Sequence, residues 1–174
     1  MDIDGFVPLD EGIPEGLDRD AVARAKTSAL RMLKARDRTP VGLADRLRKK
    51  GIDEPVVVHV IARLEAVGLL DERATAGRLV RSELRKAAAS ERLLLMKLRR
   101  EGVSDAIAKE VVAEELDAVD LNEAVEEEAR RWLERRPSLD AETAKRRLAG
   151  RLARRGFSGD IVWGVVNKVM GEAR

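Results

Sequence analysis

Arg46 and Lys49 stand three residues apart in "RLRKKGI" (46–52). The same pairing returns as Lys97 with Arg100 in "KLRREGV" and as Arg151 with Arg154 in "RLARRGF". Residues i and i+3 share one face of a helix, so each stretch offers two cations to one partner. At about 100° per residue, that face is turned well away from the leucines of the same stretch. Further cations vary between copies: Arg48 and Lys50 in the first, Arg99 in the second, Arg147 and Arg155 in the third. A cation in a last helical turn complements the helix dipole for about 0.3–1 kcal/mol, which explains a charge just before the glycine better than one five residues back. The remainder is a basic stripe repeated once per copy, suited to a long polyanionic or filamentous partner.

Catalysis has little to draw on. The one histidine, His59, lies in "VVVHVIARL" beside an apolar helix face made by Val56, Val60, Ile61 and Leu64, so it flanks that face rather than serving as a base. There is no cysteine, hence no disulfide, thiolate ligand or thiol nucleophile. Phosphate-binding loops, dinucleotide fingerprints, nucleophile elbows and HExxH are absent from the sequence. The acidic run "EVVAEELDAVDLNEAVEEE" (110–128) lacks the loop geometry of a calcium site and a histidine for a transition metal, and reads as a solvated helix face. The chain therefore reads as a non-enzyme, with no catalytic residue, cofactor or metal site expected.

The cations are carried by an internal repeat that aligns on Gly51, Gly102 and Gly156. Eight residues before each glycine stands Leu43, Leu94 or Leu148, and four before it Leu47, Leu98 or Leu152. One after it comes Ile52, Val103 or Phe157, and five after it Val56, Ile107 or Ile161. A glycine in the left-handed region ends a helix, and the residue after it packs back on the leucine four before it. Asp53, Ser104 and Ser158 are placed to cap the helix that follows. A further helix leads each pair, over about 20–35, 72–86 and 121–135, with Leu30 and Leu33, then Leu79, Val80 and Leu84, then Val125, Trp132 and Leu133 inward. In the first copy Thr39 caps the next helix and Pro40 takes its first position; in the third, Pro137 ends the leading helix.

The expected fold is all-α: three tandem three-helix, helix-turn-helix-like repeats in a curved, elongated array. The boundaries read as 21–71, 72–118 and 119–174, after a flexible acidic arm over 1–20 that is rich in glycine and proline. Charged residues make up 38% and aromatics 2%, which favours helix over sheet. No apolar run reaches the length of a membrane span, so a soluble, cytoplasmic monomer without membrane contact is expected. The net charge of +2 hides segregation: seven acids lie in 1–20 and nine in 110–128, while the bases lie in 21–109 and 130–155.

The helices after each turn carry few bases, which argues against a major-groove reader. Stacking on single strands is also poorly supplied, since Phe6, Trp132, Phe157 and Trp163 are the only aromatics and the core claims most of them.

The stretch "SALRMLKARDRTPVGLADRLRKKGIDEPVVVHVIARLEAVGLLDERATAGRLVRS" (28–82) resembles the start of RecX regulatory proteins. Ala29-Leu30, Leu33, Arg36, Thr39, Leu43, Leu47, Lys50-Gly51, Leu64, Gly68-Leu69-Leu70 and Asp71 fit that family's motifs. The likeness runs on over about 21–172. It departs at Arg73-Ala74-Thr75-Ala76, where the family usually has an aromatic-Ala pair, and at "KAAASERLLL", where it often has a glycine. The resemblance implies a regulator bound in the groove of the RecA–single-stranded-DNA filament, inhibiting RecA ATP hydrolysis, strand exchange and filament growth in recombinational repair and the SOS response. It implies that the basic positions named above meet RecA or DNA. Two alternatives stay open: a helix-turn-helix-like DNA binder acting without RecA, and a helical-repeat adaptor for another protein.

Overall fold

The structure, a computed structural model, describes residues 12–172. These residues are all-α. Helices α1 (Arg19–Ala35), α2 (Pro40–Lys49) and α3 (Glu54–Ala66) form the first triplet; α4 (Glu72–Lys86), α5 (Glu91–Arg100) and α6 (Asp105–Asp117) form the second. The third consists of α7 (Leu121–Glu134), α8 (Ala141–Arg154) and α9 (Gly159–Glu172). Two compact units are distinguished. Among the described residues, one takes in 12–76 together with Arg100–Ser104, the other Gly77–Arg99 together with 105–172.

In the first unit, α1, α2 and α3 each pack on the other two. Val22, Ala25 and Ala29 of α1 meet Leu43 and Leu47 of α2 and Val57, Val60 and Leu64 of α3 in one core. Leu43, Leu47 and Leu64 are fully buried, each contributing about 1.5–3 kcal/mol by leaving water. Alanines at 25 and 29 let α1 approach closely.

Helix α2 is fixed at both ends by local chemistry. Thr39 Oγ1 accepts the Gly42 N–H at 3.0 Å, and Pro40 occupies the first position. The same hydroxyl donates to the Glu101 carbonyl, tying the turn 100–104 to the start of α2. At the other end Gly51 adopts φ 77°, Ile52 N–H reaches Leu47 O at 3.3 Å and Gly51 N–H reaches Arg48 O at 2.8 Å. That is the two-bond helix stop expected from the sequence. Gly68 repeats it at the end of α3, with Leu69 N–H on Leu64 O at 2.9 Å, a stop not anticipated. Thr39→Ala is expected to lose about 1 kcal/mol or somewhat more from the cap and the freed carbonyl, visible as a melting temperature lower by roughly 2–4 °C in far-UV circular dichroism. Thr39→Ser should keep most of it.

Several expectations shift. Asp53 has the N-cap backbone, φ −62° and ψ 142°, but its side chain makes no capping bond. Glu54 in the next position pairs instead with Arg48. Of the acidic arm, residues 1–11 lie outside the described residues, while Ile13 and Leu17 pack against the first core. Asp18 accepts Asp20 N–H at 2.9 Å, so α1 starts at Arg19. Helix α7 ends at Glu134, with Arg135 as its cap residue.

In the second unit, Val125 and Ala129 of α7, Leu148 and Leu152 of α8, Val162, Val166 and Val169 of α9 and Phe157 make a second core, in which Ala88 also sits. Ala88 belongs to the α4–α5 connection, so the middle triplet is joined here to the third. Ser90 N–H donates to Arg155 O at 3.1 Å and Ala88 N–H to the Glu128 carboxylate at 2.7 Å. From the other side the Arg155 guanidinium donates to the carbonyls of Ala87 and Ala88, each at 2.8 Å, and to Glu83 at 2.6 Å.

Candidate basic interface

The cations singled out by the repeat divide into two sets. Arg48 bridges Asp45 at 2.9 Å and Glu54 at 2.7 Å. Lys97 is 2.7 Å from Glu83, Arg99 is 2.7 Å from Asp105, and Arg151 is 2.8 Å from Glu128. Arg155 is the most enclosed, with its side chain 17% exposed and its donors directed to Glu83 and the Ala87–Ala88 carbonyls. These five side chains already have acceptors within the fold. Arg46, Lys49, Lys50, Arg100, Arg147 and Arg154 are exposed, and no salt bridge or side-chain hydrogen bond engages them among the described residues.

Glu83 organises the paired set. Burial alone would raise its carboxyl, yet hydrogen bonds from Lys97 and Arg155, with their charges, bring it down to about 2. It is thus ionised at any pH at which the chain works. In the first unit, burial and the neighbouring charges of Arg46 and Arg36 hold the Arg38 guanidinium below its ordinary value. Its Nε is buried without an acceptor. Arg36 is relieved by Glu101 at 2.7 Å, whereas Arg46 forms no ion pair among the described residues. An anion placed there would lower the energy of both.

The larger concentration of free cations lies in the second unit around Trp132. The Arg136 guanidinium sits 4.5 Å from the centre of the Trp132 ring and donates to the Trp132 carbonyl at 3.1 Å. Beside it Arg146, Arg147, Arg151 and Arg154 of α8 line a concavity of about 380 Å³, with Gly150 in its floor. A second concavity of about 780 Å³ shares Trp132, Arg136 and Arg151 and adds Arg85 and Arg135 among its cations. The carboxylates in its lining, Glu115 and Glu128, each hold an arginine, Arg81 and Arg151. The field there is therefore positive, and most of its donors face solvent.

Sequence reasoning found Arg147, Arg151 and Arg154 but missed Arg136, Arg146 and the role of Trp132. Periodicity assigned Trp132 to the inner face, and it does touch the second core while remaining part-exposed. The neighbouring Arg135-Arg136 doublet and the Arg146-Arg147 doublet were the available signal. Phe157 is buried and Trp132 packs on the second core, whereas Trp163 is 48% exposed, so the core claims two of the three aromatics among the described residues. His59 is half-buried with its Nε2 unpartnered. Among the described residues there is no cluster of His, Cys, Asp or Glu able to hold a metal, and no helix is long and apolar enough to cross a membrane.

With this geometry in view, comparison with known proteins is informative at both ends of the chain. Residues 25–64 match the first three-helix domain of RecX and residues 120–166 the third. The regulatory protein RecX of Mycobacterium sp. (strain KMS) is 42% identical over 148 residues, covering 82% of this chain and 80% of the relative. That of Streptomyces lividans is 36% identical over 154 residues, covering 88% and 81%. The crystal structure of RecX from Lactobacillus salivarius superposes with a TM-score of 0.69 at 21% identity, covering 86% of this chain and 97% of that one, a likeness of fold. The helix triplets, the glycine stops and the sequence identity agree, and the chain belongs to the RecX family of regulatory proteins.

Proposed function

We propose that this protein is a non-enzymatic regulator that binds the RecA–single-stranded-DNA filament and restrains it, inhibiting ATP hydrolysis, strand exchange and filament growth in recombinational repair and the SOS response. Family membership supports the partner. The observation that carries the mode of contact is the recurrence of an exposed, unpaired cation two residues before the helix-stop glycine in all three repeats, Lys49, Arg100 and Arg154, with Arg46 and Arg147 likewise exposed and unpaired elsewhere on α2 and α8. A filament offers the same surface at regular intervals, so a repeated contact face suits it better than a single-site ligand. Arg48, Lys97, Arg99, Arg151 and Arg155 have acceptors inside the fold and contribute less to such a surface.

The test is a titration into purified RecA hydrolysing ATP on single-stranded DNA. Hydrolysis is expected to fall as the protein is added from substoichiometric to stoichiometric amounts. Unchanged turnover in the presence of excess protein rejects the reading. Reversing Arg46, Lys49, Arg147 and Arg154 to glutamate should abolish the inhibition while leaving the helical signal intact.

A further inference from the structure

We infer that the outward face of α9 is a self-association surface, where two copies of this chain pair α9 against α9 in antiparallel sense about a twofold axis at Gly164. Nothing in this inference depends on filament regulation, so the two readings fail separately.

Helix α9 turns Val162, Val165, Val166 and Val169 into the second core. On its other side Trp163 is 48% and Ile161 41% exposed, two large apolar side chains close together on one helix. Neighbouring apolar groups left open in this way mark a contact surface rather than a solvated one. Tryptophan is also a side chain that commonly anchors the middle of an interface. Lys145 Nζ stands 5.7 Å from the centre of the Trp163 ring, a cation–π contact that leaves the indole nearly half open.

The order of charges along the face names the occupant. Asp160, Gly164 and Lys168 follow at intervals of four and form one stripe, with Trp163 and Asn167 along one side and Ile161 on the other. All six are exposed. Gly164 lies midway, and a Cβ there would meet nothing within 4 Å, so a second helix has room to approach closely. Half a turn about an axis through Gly164 sets Asp160 of each copy beside Lys168 of the other, each pair about 6 Å along the helix from the crossing. A parallel pairing would set Asp160 against Asp160 and Lys168 against Lys168, which like-charge repulsion disfavours. Asp160 forms no ion pair among the described residues and is open to a cation. Lys168 gives two hydrogen bonds to the Glu126 carboxylate, each at 2.6 Å, and at 53% exposure keeps a third donor for a second carboxylate.

This stripe is not part of the repeat. The equivalent residues are Pro55, His59 and Arg63 in α3 and Ala106, Glu110 and Glu114 in α6, and neither set is complementary to itself. An unrelated partner needs no such symmetry, whereas a second copy carries the matching lysine eight residues after the aspartate. One helix crossing buries less than the roughly 1,200 Å² of a standard stable interface, so the pairing is weak and the monomer expected from the sequence is its low-concentration form.

The experiment is sedimentation velocity of the full chain, without RecA or nucleic acid, from about 1 to about 200 μM. The weight-average mass should rise from that of one chain toward that of two. Trp163→Ala should weaken association roughly tenfold or more. Asp160→Lys and Lys168→Glu should each stay monomeric across the range, because each sets like charges together twice. An equimolar mixture of those two variants should associate again, since every pair across the axis of the mixed dimer is then of opposite sign. Circular dichroism melts check that each variant keeps its helices. Asp160→Lys, which has no ion pair to lose, keeps the test open if Lys168→Glu is unstable. In a Trp132→Phe background, Trp163 emission should shift to the blue as concentration rises. The inference is overturned by a wild-type chain that is monomeric at the highest concentration, which would assign the face to a different protein. Association undiminished in Trp163→Ala or in Asp160→Lys would also overturn it, as would a mixture no more associated than its stable components.

Discussion

Arg155→Ala is expected to cost about 3 kcal/mol and to lower the melting temperature of the structure around it by roughly 6–12 °C. The guanidinium engages Glu83 and the carbonyls of Ala87 and Ala88, joining α8 to the α4–α5 connection. Truncation leaves two carbonyls and a 10%-exposed carboxylate short of donors at once. The loss stays near the lower end of what a broken buried pair costs, because Lys97 remains on Glu83 and, at 43% exposure, can follow it toward water. Far-UV and near-UV melts of the variant measure the effect. Replacing both partners, Arg155→Met with Glu83→Leu, should recover a large part of it, since apolar side chains of similar size need no compensating charge. A double variant as unstable as the sum of the singles would show that the two side chains act independently.

The same joint has a pH signature. The Glu83 carboxyl ordinarily titrates at 4.5 and in the fold at about 2. A depressed carboxyl adds stability that is fully present above its unfolded value and is lost as the pH falls through the folded one. By the usual conversion this amounts to roughly 3 kcal/mol at neutral pH. The gap in melting temperature between the wild type and Glu83→Gln should therefore be constant above pH 4.5 and close progressively as the pH falls toward 2. A gap that persists below the lower value would place the effect in packing rather than charge.

Features set by neighbours in the chain were legible without a structure. Thr39-Pro40 starts α2 because a hydroxyl and a fixed φ act within one turn, and Gly51 ends it because only the local backbone matters. Leu43 and Leu47 declare the inner face by their spacing alone. The fate of a surface cation is different. Arg155 and Arg46 both stand near a helix end in a run of bases, yet Arg155 finds Glu83, 72 positions earlier, and Arg46 forms no ion pair. Helix pattern does not encode that choice; the stacking of the third triplet on the second does. The concavity beside Trp132 was illegible for the same reason, since Arg136 comes from the connection after α7 while Arg147 and Arg154 come from the middle and end of α8. Asp53 shows the opposite failure, a residue of the right type at the right place whose side chain does not cap.

Gly156→Ala should be far more damaging than Gly51→Ala, although the repeat makes the two glycines look equivalent. Both lie in the left-handed region, at φ 87° and 77°, where an L side chain costs about 1–2 kcal/mol. Around Gly51 there is nothing for a Cβ to meet within 4 Å, so that cost is the whole effect. At Gly156 the added carbon would collide with Ser90 Oγ and lie 3.2 Å from Leu93 Cβ. Ser90 cannot simply turn away, because its Oγ accepts Leu93 N–H at 3.2 Å and its own N–H donates to Arg155 O. Overpacking of this kind adds about 1–3 kcal/mol, bringing the total to roughly 2–5 kcal/mol. Gly102 belongs with Gly156, since a Cβ there would stand 2.8 Å from Val41 Cβ. Chemical denaturation of the three alanine variants should rank Gly51 well above the other two in residual stability. The physical reason is position in the array: the α5–α6 and α8–α9 turns each rest on the start of an earlier helix, α2 or α5, whereas the α2–α3 turn leaves its glycine open. Equal losses at all three positions would mean that the glycines serve backbone conformation alone and that the close approach at Gly102 and Gly156 relaxes without cost.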